Sequence, residues 1–130
     1  MCLASFVMSD LMPELIDFKT AVPEVSTSRP APERLLAGDP EHGVRNYFSD
    51  ATGQCFAGIW QSSPGKWRVR YSENEFCHLT RGRVRIEDEH GRSWSFAAGD
   101  TFVIPAGFAG NWQVLEPTSK LYVIFEPASK

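Results

Sequence analysis

From Val44 to the C-terminus, hydrophobic residues fall in short runs separated by turn residues. The breaks between the runs contain Gly, Pro, Asp or Ser, which are typical of turns. The predicted strands are 44–48, 55–61, 67–71, 76–79, 83–88, 93–96, 101–104, 111–115 and 121–125. Since no long helical pattern follows residue 43, this spacing predicts an all-β fold, a jelly roll of eight or nine strands.

Alternation within the third predicted strand assigns its side chains to two faces. Trp67, Val69 and Tyr71 lie on one face, and Arg68 and Arg70 lie on the other. Aromatic and branched side chains favour the interior, so we expect the first three to point inward. The two arginines then face solvent or a partner.

The first 43 residues have a different pattern. Leu11, Leu15 and Phe18 have roughly helical spacing and predict a short amphipathic helix within residues 1–19. Residues 20–34 contain three prolines together with Ser and Thr, which is typical of an extended arm. We therefore expect an N-terminal arm over 1–34, partly flexible, and a single domain over 35–130.

Composition narrows the possible partners and the compartment. The 130-residue chain has a net charge of −3, which gives no basic surface for nucleic acid or anionic membranes. No apolar run is long enough to span a bilayer. Cys2, Cys55 and Cys77 form no Cys-x-x-Cys pair, and the N-terminus lacks a basic segment, so we expect a cytoplasmic protein without disulfides.

Two segments together resemble the paired signature of the cupins. In WRVRYSENEFCHLTRG, Glu75 and Gly82 keep the seven-residue spacing of the first cupin motif. In GDTFVIPAG, the residues Gly99, Pro105 and Gly107 fit the second motif. The resemblance implies a jelly-roll β-barrel of the RmlC-like type, with its site at the mouth of the barrel.

Over about half of the chain the sequence is similar to one cupin branch. This branch contains the ethanolamine-utilisation protein and the (S)-ureidoglycine aminohydrolase, and the similar segments are GIW, PGKWRVRYSENEFCHLTRGRVRI, GDTFVIPAGFAGNWQVLEP and KLYVI. The aminohydrolase holds manganese with glutamate, two histidines and glutamine, and the ethanolamine-utilisation protein is a metal-stimulated acetate kinase. Glu75 is the one position that matches securely, so neither activity is implied for this chain.

The metal ligands of the cupin motifs are mostly replaced here. The histidine pair falls on Val69 and Tyr71 or on Arg68 and Arg70, depending on the gap before Glu75. The third histidine and the asparagine of the second motif are replaced as well, by Gly110 and Val114.

None of the three histidines of the chain supplies one of the missing ligands. His78 alternates out of phase with Glu75, while His42 and His90 fall in a loop and at a turn tip. A transition metal normally needs three protein ligands, so we expect no bound metal and no other cofactor. A metal-dependent enzyme with an irregular ligand set stays an alternative.

Glu75 is the main candidate for chemistry, with Tyr71 as its helper. A carboxylate inside a barrel must be paired or must take up a proton, and burial would raise its pKa toward the range useful for acid/base catalysis. Tyr71 could share the proton or orient a substrate. The alternative is that Glu75 only accepts hydrogen bonds that hold the barrel together.

Six further residues are candidates for binding a substrate. They are Trp67, Val69, Cys77, Phe108, Trp112 and Lys120. The glycine at position 110, two residues before Trp112, suggests space for a ligand beneath an aromatic lid. Phe108 could cover the mouth from its loop, and Lys120 either presents a cation to an anionic substrate or is an ordinary exposed lysine. Cys77 has the parity of Glu75 and is better explained as a small buried hydrophobe than as a nucleophile.

These observations predict a stand-alone cupin whose pocket binds a small polar metabolite, with or without chemistry that depends on Glu75. The alternative from another class is a non-catalytic sensing module. We also expect a homodimer, because cupins commonly pair through their sheets and because a proline-rich arm precedes the barrel.

Overall fold

The computed structural model describes residues 12–127, which form an antiparallel all-β structure. Its strands are β1 (Glu24–Ser28), β2 (Leu35–Gly38), β3 (His42–Ser49), β4 (Cys55–Ser62), β5 (Gly65–Arg70), β6 (Asn74–Asp88), β7 (Ser93–Ala97), β8 (Thr101–Ile104) and β9 (Ala109–Phe125). The predicted all-β class is confirmed. Within the described range no helix is long and apolar enough to cross a membrane.

The longest strand, β9, curls the sheet on itself. Its first half pairs with β5, its second half pairs with β4, and both halves pair with β6. The remaining order is β1-β3-β4-β9-β5-β2, with β7 and β8 both attached to β6. The concave side of this curled sheet holds the core and the candidate site.

Two of the predicted strand breaks are wrong. The segments predicted at 76–79 and 83–88 are one strand, β6, and those at 111–115 and 121–125 are one strand, β9. Between Leu79 and Val84 the pairing of β6 with β9 shifts register, and the strand bends there without a turn. Gly82 has a φ of +93°, and a Cβ there would collide with the Thr118 side chain, so the bend requires glycine.

The N-terminal region contributes strands that the sequence pattern did not predict. β1 pairs with β3 from Glu24↔Asn46 to Ser28↔His42, although every residue of β1 is exposed. Of the helix expected within residues 1–19, residues 1–11 lie outside the described part, and 12–19 contain no helix, only a hydrogen-bonded turn at 18–20 in which Ala21 N donates to Asp17 O at 2.8 Å. The division into an arm over 1–34 and a domain over 35–130 stays a prediction.

The core confirms the predicted alternation on β5. Trp67 is buried, Val69 and Tyr71 are half-buried, and Arg68 and Arg70 are exposed. The buried core residues around Trp67 are Cys77, Leu79, Val84, Ile86, Ile104, Trp112 and Val114. Aromatic rings therefore occupy much of the barrel, and they form the walls of the site.

Candidate functional site

A cavity of about 400 Å³ opens on the concave side of the sheet. Its walls come from β3, β4, β5, β6 and β9. It is lined by Arg34, His42, Val44, Trp60, Trp67, Arg68, Val69, Arg70, Tyr71, Glu73, Glu75, Trp112, Lys120, Tyr122 and Ile124. Six of the eight predicted site residues are thus brought together: Trp67, Val69, Tyr71, Glu75, Trp112 and Lys120.

A buried ion pair forms the polar part of the cavity wall. Lys120 Nζ lies 2.8 Å from Glu75 Oε2, and the two residues are only 4% and 5% exposed. Glu75 comes from β6 and Lys120 from β9, and both side chains point into the barrel. Of the two alternatives for a buried carboxylate, pairing and uptake of a proton, the structure shows pairing.

Two tryptophans hold the ammonium group of Lys120. Its Nζ lies 4.4 Å from the ring centroid of Trp112 and 4.7 Å from that of Trp60, within the range of cation–π attraction. Burial alone would lower the pKa of Lys120, but the negative charge of Glu75, together with the influence of Cys77 and hydrogen bonds to both residues, outweighs that effect and leaves the pKa raised. Lys120 is therefore a resident buried cation. It is not the exposed lysine that the sequence left open.

Tyr71 stands beside this pair as a neutral phenol. Burial and then the negative charge of Glu75 raise its pKa well above the ordinary value, and the nearby Trp112 indole N–H opposes that rise only in part. Main-chain bonds fix its position, because Tyr71 N donates to Phe108 O at 2.9 Å and Gly107 N donates to Tyr71 O at 2.7 Å. The phenol can donate a hydrogen bond into the cavity at neutral pH.

His42 is a cavity residue that the sequence analysis placed in a loop. It begins β3, and its ring lies 4.5 Å from that of Trp67 and 5.3 Å from that of Trp60. Its Nε2 is buried, without a hydrogen-bond partner in the described structure. Burial and the positive charge of Lys120 lower the pKa of His42, which favours the neutral imidazole. The sequence contained a signal for this position, because the alternation of β3, extended two residues back from Val44, places His42 on the same face as Val44.

Two of the predicted binding residues do not line this cavity. Cys77 is completely buried, and burial raises the pKa of its thiol to about 12. Phe108 packs edge-on against Tyr71, with 6.3 Å between ring centroids, but lines a separate apolar groove of about 440 Å³ between β7 and β8. A role in substrate binding stays a prediction for both residues.

The residues present do not fit the metal site of the related aminohydrolase. Within residues 12–127, no three His, Cys, Asp or Glu side chains come close enough to hold an ion. The side-chain position of Gly110 is also filled, because a Cβ there would collide with the main-chain oxygen of Glu87, and Gly110 borders a separate cavity of about 240 Å³ instead. Packing of β9 against β6 excludes a histidine at this position, so no metal-dependent step is derived.

The sequence profile of the EutQ-like cupin domain matches residues 49–122, which is more than half of the chain. The chain belongs to the EutQ-like cupin family. No curated protein sequence matches it. The family membership agrees with the curled β-sheet and with the interior position of Glu75.

Solved structures support the same fold. A DUF861 family protein of unknown function from Pseudomonas syringae is 26% identical, with a TM-score of 0.72 over 84% of this chain and 46% of its own. The Clostridium difficile EutQ protein is 17% identical, with a TM-score of 0.60 over 67% of this chain and 64% of its own. A Salmonella typhimurium protein described as ethanolamine utilization protein Q is 16% identical, with a TM-score of 0.61 over 82% of this chain and 98% of its own. This cupin therefore spans about half the length of the Pseudomonas protein.

Proposed function

We propose that this cupin binds a small polar metabolite in the cavity beside Glu75 and Lys120. The supporting observation is that a buried ion pair lines an open cavity. A buried ion pair is often no more stabilising than apolar residues of the same volume, so stability alone is a weak reason for its presence. The second oxygen of Glu75, the remaining ammonium protons of Lys120 and the Tyr71 hydroxyl are suited to orient a ligand.

The size and walls of the cavity agree with this proposal. A volume of about 400 Å³ is within the usual range for small-molecule sites, which combine apolar walls with a few polar groups. Trp60, Trp67 and Trp112 provide flat apolar surface, and their centroids lie 5.6 to 6.4 Å apart. Such walls favour a ligand with an organic body over a bare ion.

A cavity-filling variant tests the proposal. Purified protein is screened by thermal shift against a panel of small polar metabolites, and hits are measured by calorimetry. Val69→Trp fills the cavity and should abolish binding, whereas Val25→Trp, on the exposed strand β1, should leave the affinity unchanged. Stabilisation that survives Val69→Trp, or the absence of any stabilising compound, would contradict the proposal.

Proton transfer by Glu75 is a second candidate, supported by the 2.8 Å contact of its carboxylate with the Lys120 ammonium and by the neutral phenol of Tyr71 beside it. In this arrangement Glu75 acts as the base and Tyr71 orients the substrate. Any ligand found in the screen is incubated with protein and followed by NMR. Turnover should disappear in Glu75→Gln, while Tyr71→Phe should lower the rate and leave some activity. Equal product formation with Glu75→Gln would rule out this role.

A homodimer is a further part of the proposal, and its support is an apolar row across the outer face of the sheet. One row of directly paired residues crosses β3, β4, β9, β6 and β8. It consists of Phe48, Ala57, Val123, Phe76 and Val103, and its four large side chains are exposed. With Leu121 and Phe125 on the same face of β9, the patch exposes on the order of 500 Å². A patch of this size suits the core of an interface that buries ~800 Å² per partner. A second copy presents the same row, so the occupant we propose is another molecule of this chain.

Light scattering tests this interface. The wild-type protein should be a dimer at micromolar concentration, and Val123→Glu should be a monomer. Val22→Glu, at a fully exposed position before β1, is the matched control and should stay dimeric. A monomeric wild type would overturn the proposal.

We place this protein in the cytoplasm, which agrees with the free thiols of Cys55 and Cys77.

A further inference from the structure

We propose that the metabolite of this cavity is a small organic anion, recognised through a carboxylate or phosphate group by arginines at the cavity opening. This inference rests on the proposed binding function and names the class of ligand. The residues involved are Arg34, Arg68 and Arg70. It differs from the sequence-based expectation for Lys120, because the cation that meets the ligand anion is not the buried lysine.

The arginines lie at an incompletely covered sheet edge beside the cavity. β2 pairs with β5 only from Gly65 to Trp67, and one further main-chain bond joins Arg68 N to Arg34 O at 2.9 Å. Beyond that bond, no strand from residues 12–127 pairs with β5 on the side away from β9. Arg68 and Arg70 lie along this free edge. Because they alternate out of phase with Trp67 and Val69, they border the cavity at its rim together with Arg34, and all three also line a neighbouring cavity of about 240 Å³.

These three arginines have no internal counter-ion. Among residues 12–127, no carboxylate oxygen lies within 4.0 Å of any of their guanidinium groups. Elsewhere among residues 12–127, Arg29, Arg83 and Arg92 each pair with an acidic residue, while Arg45 and Arg81 form no such pair but do not line this cavity. A guanidinium group offers a planar set of donors that matches carboxylate and phosphate oxygens, so an unpaired cluster beside a cavity favours an oxyanion.

The charges that line the cavity point the same way. Four cationic residues, the three arginines and Lys120, line the cavity with two acidic residues, Glu73 and Glu75. Lys120 and Glu75 neutralise each other, and in the neighbouring cavity Asp88 is paired with Arg92. The three arginines therefore remain against two carboxylates, Glu73 and Glu89. The excess of positive charge attracts an anion and repels a cation at the opening.

The aromatic cage of the cavity is not free for a cationic ligand. Trp60 and Trp112, the faces that would attract an ammonium group, already hold the Lys120 ammonium at 4.7 and 4.4 Å. An amine ligand would have to displace a side chain that is also bonded to Glu75. The interior thus selects against amines, while the arginines at the opening select for acids.

A matched series of probes tests the class of ligand. Benzoate, benzamide and benzylamine share one ring and differ in charge, as do glutarate and glutaramide, and phenyl phosphate distinguishes phosphate from carboxylate. Affinity is measured by calorimetry, with thermal shift as a second readout. We expect at least one acid to bind about tenfold more tightly than its amide and the amine to show no binding. The acid's affinity should fall as salt is raised from ~0.05 to ~0.3 M.

Single arginine variants locate the contact. Arg68→Gln and Arg70→Gln should each weaken acid binding about fivefold to tenfold and leave amide binding unchanged. Arg81→Gln removes the same charge from an exposed arginine of β6 that lies away from the cavity, and it should leave acid binding unchanged. Because all three side chains are exposed, the variants should keep the wild-type melting temperature.

The outcomes separate this inference from the proposed function. An amide or amine that binds as tightly as the acid, and loses its affinity in Val69→Trp, would overturn the anion inference and leave the binding function standing. Acid binding that is unaffected by both arginine variants would also overturn it. If neither this series nor the broader metabolite panel stabilises the protein, both proposals are wrong.

Discussion

Lys120 Nζ lies 2.8 Å from Glu75 Oε2 inside the barrel, with both side chains almost fully shielded from water. In this cupin the charge opposite the motif glutamate therefore comes from the chain's own ammonium group. The charges of Glu75 and Lys120 compensate each other as long as both side chains are present. Removing either partner leaves the other as an isolated buried charge.

Lys120→Met should lower the free energy of unfolding by about 3–5 kcal/mol at pH 7, since it leaves the Glu75 carboxylate buried without a partner. Urea unfolding measures the change. The double variant Lys120→Met/Glu75→Leu should recover a large part of the loss. Lys66→Met, which breaks the partly exposed pair with Glu87, is the control and should cost no more than about 1 kcal/mol. Equal losses in the two single variants would contradict the buried pair.

Stability should decrease in alkaline solution because several buried groups resist losing a proton. The pKa of Cys77 is raised by burial to about 12, against 9.0 for an ordinary thiol. Below pH 9 the thiol is protonated in both folded and unfolded chains, so its contribution is complete. Above pH 9 the unfolded chain loses the proton first, and that contribution declines until about pH 12. Tyr122, whose pKa burial raises to about 12, adds a decline above pH 10.

Denaturant titrations between pH 8 and pH 10.5 measure this effect. Cys77 alone should remove roughly 2 kcal/mol of stability by pH 10.5, so Cys77→Ala should show a shallower decline than the wild-type protein. Cys55→Ala changes a half-buried thiol and should keep the wild-type slope. Parallel curves for Cys77→Ala and the wild type would refute the assignment.

Acid should destabilise the fold through His42. Burial and the charge of Lys120 lower its pKa below 6.5, so the folded chain binds fewer protons than the unfolded chain. The contribution of His42 is complete above pH 6.5 and is lost as the pH falls through its folded pKa. Unfolding measured at pH 7.5, 6 and 5 should show a steeper loss for wild type than for His42→Phe. His90→Phe, at an exposed turn, is the control. NMR titration of the imidazole protons gives an independent value.

Replacing Gly110 tests why the cupin histidine is missing. Gly110→Ala should cost at least about 1–3 kcal/mol, because the new Cβ would collide with the Glu87 main-chain oxygen. Gly43→Ala is the matched control, since its Cβ would meet only the flexible Gln61 side chain, at 3.1 Å. Gly110→His should destabilise the fold further. A stable Gly110→His protein that binds manganese stoichiometrically would show that packing does not exclude the ligand.

The sequence determined the class of the fold and the inner face of the central strands. Period-two alternation is a local property, so the burial of Trp67 and the exposure of Arg68 could be read from the order of residues. The spacing of Glu75 and Gly82, together with Gly99, Pro105 and Gly107 of the second motif, was sufficient to identify a cupin, and the family profile confirms it. Continuity across the bend was not predictable, because Pro117 and Gly82 resemble turn residues and only pairing between β6 and β9 shows that they lie within strands.

The chemistry of the site was decided by tertiary structure. Glu75 and Lys120 are 45 residues apart in the sequence, and only the antiparallel pairing of β6 with β9 brings the carboxylate and the ammonium together. The same pairing closes the space at Gly110 that the sequence suggested was open. The burial of a charge and the availability of a ligand position depend on what other strands place nearby. A local pattern specifies which face a side chain takes, but not what it meets there.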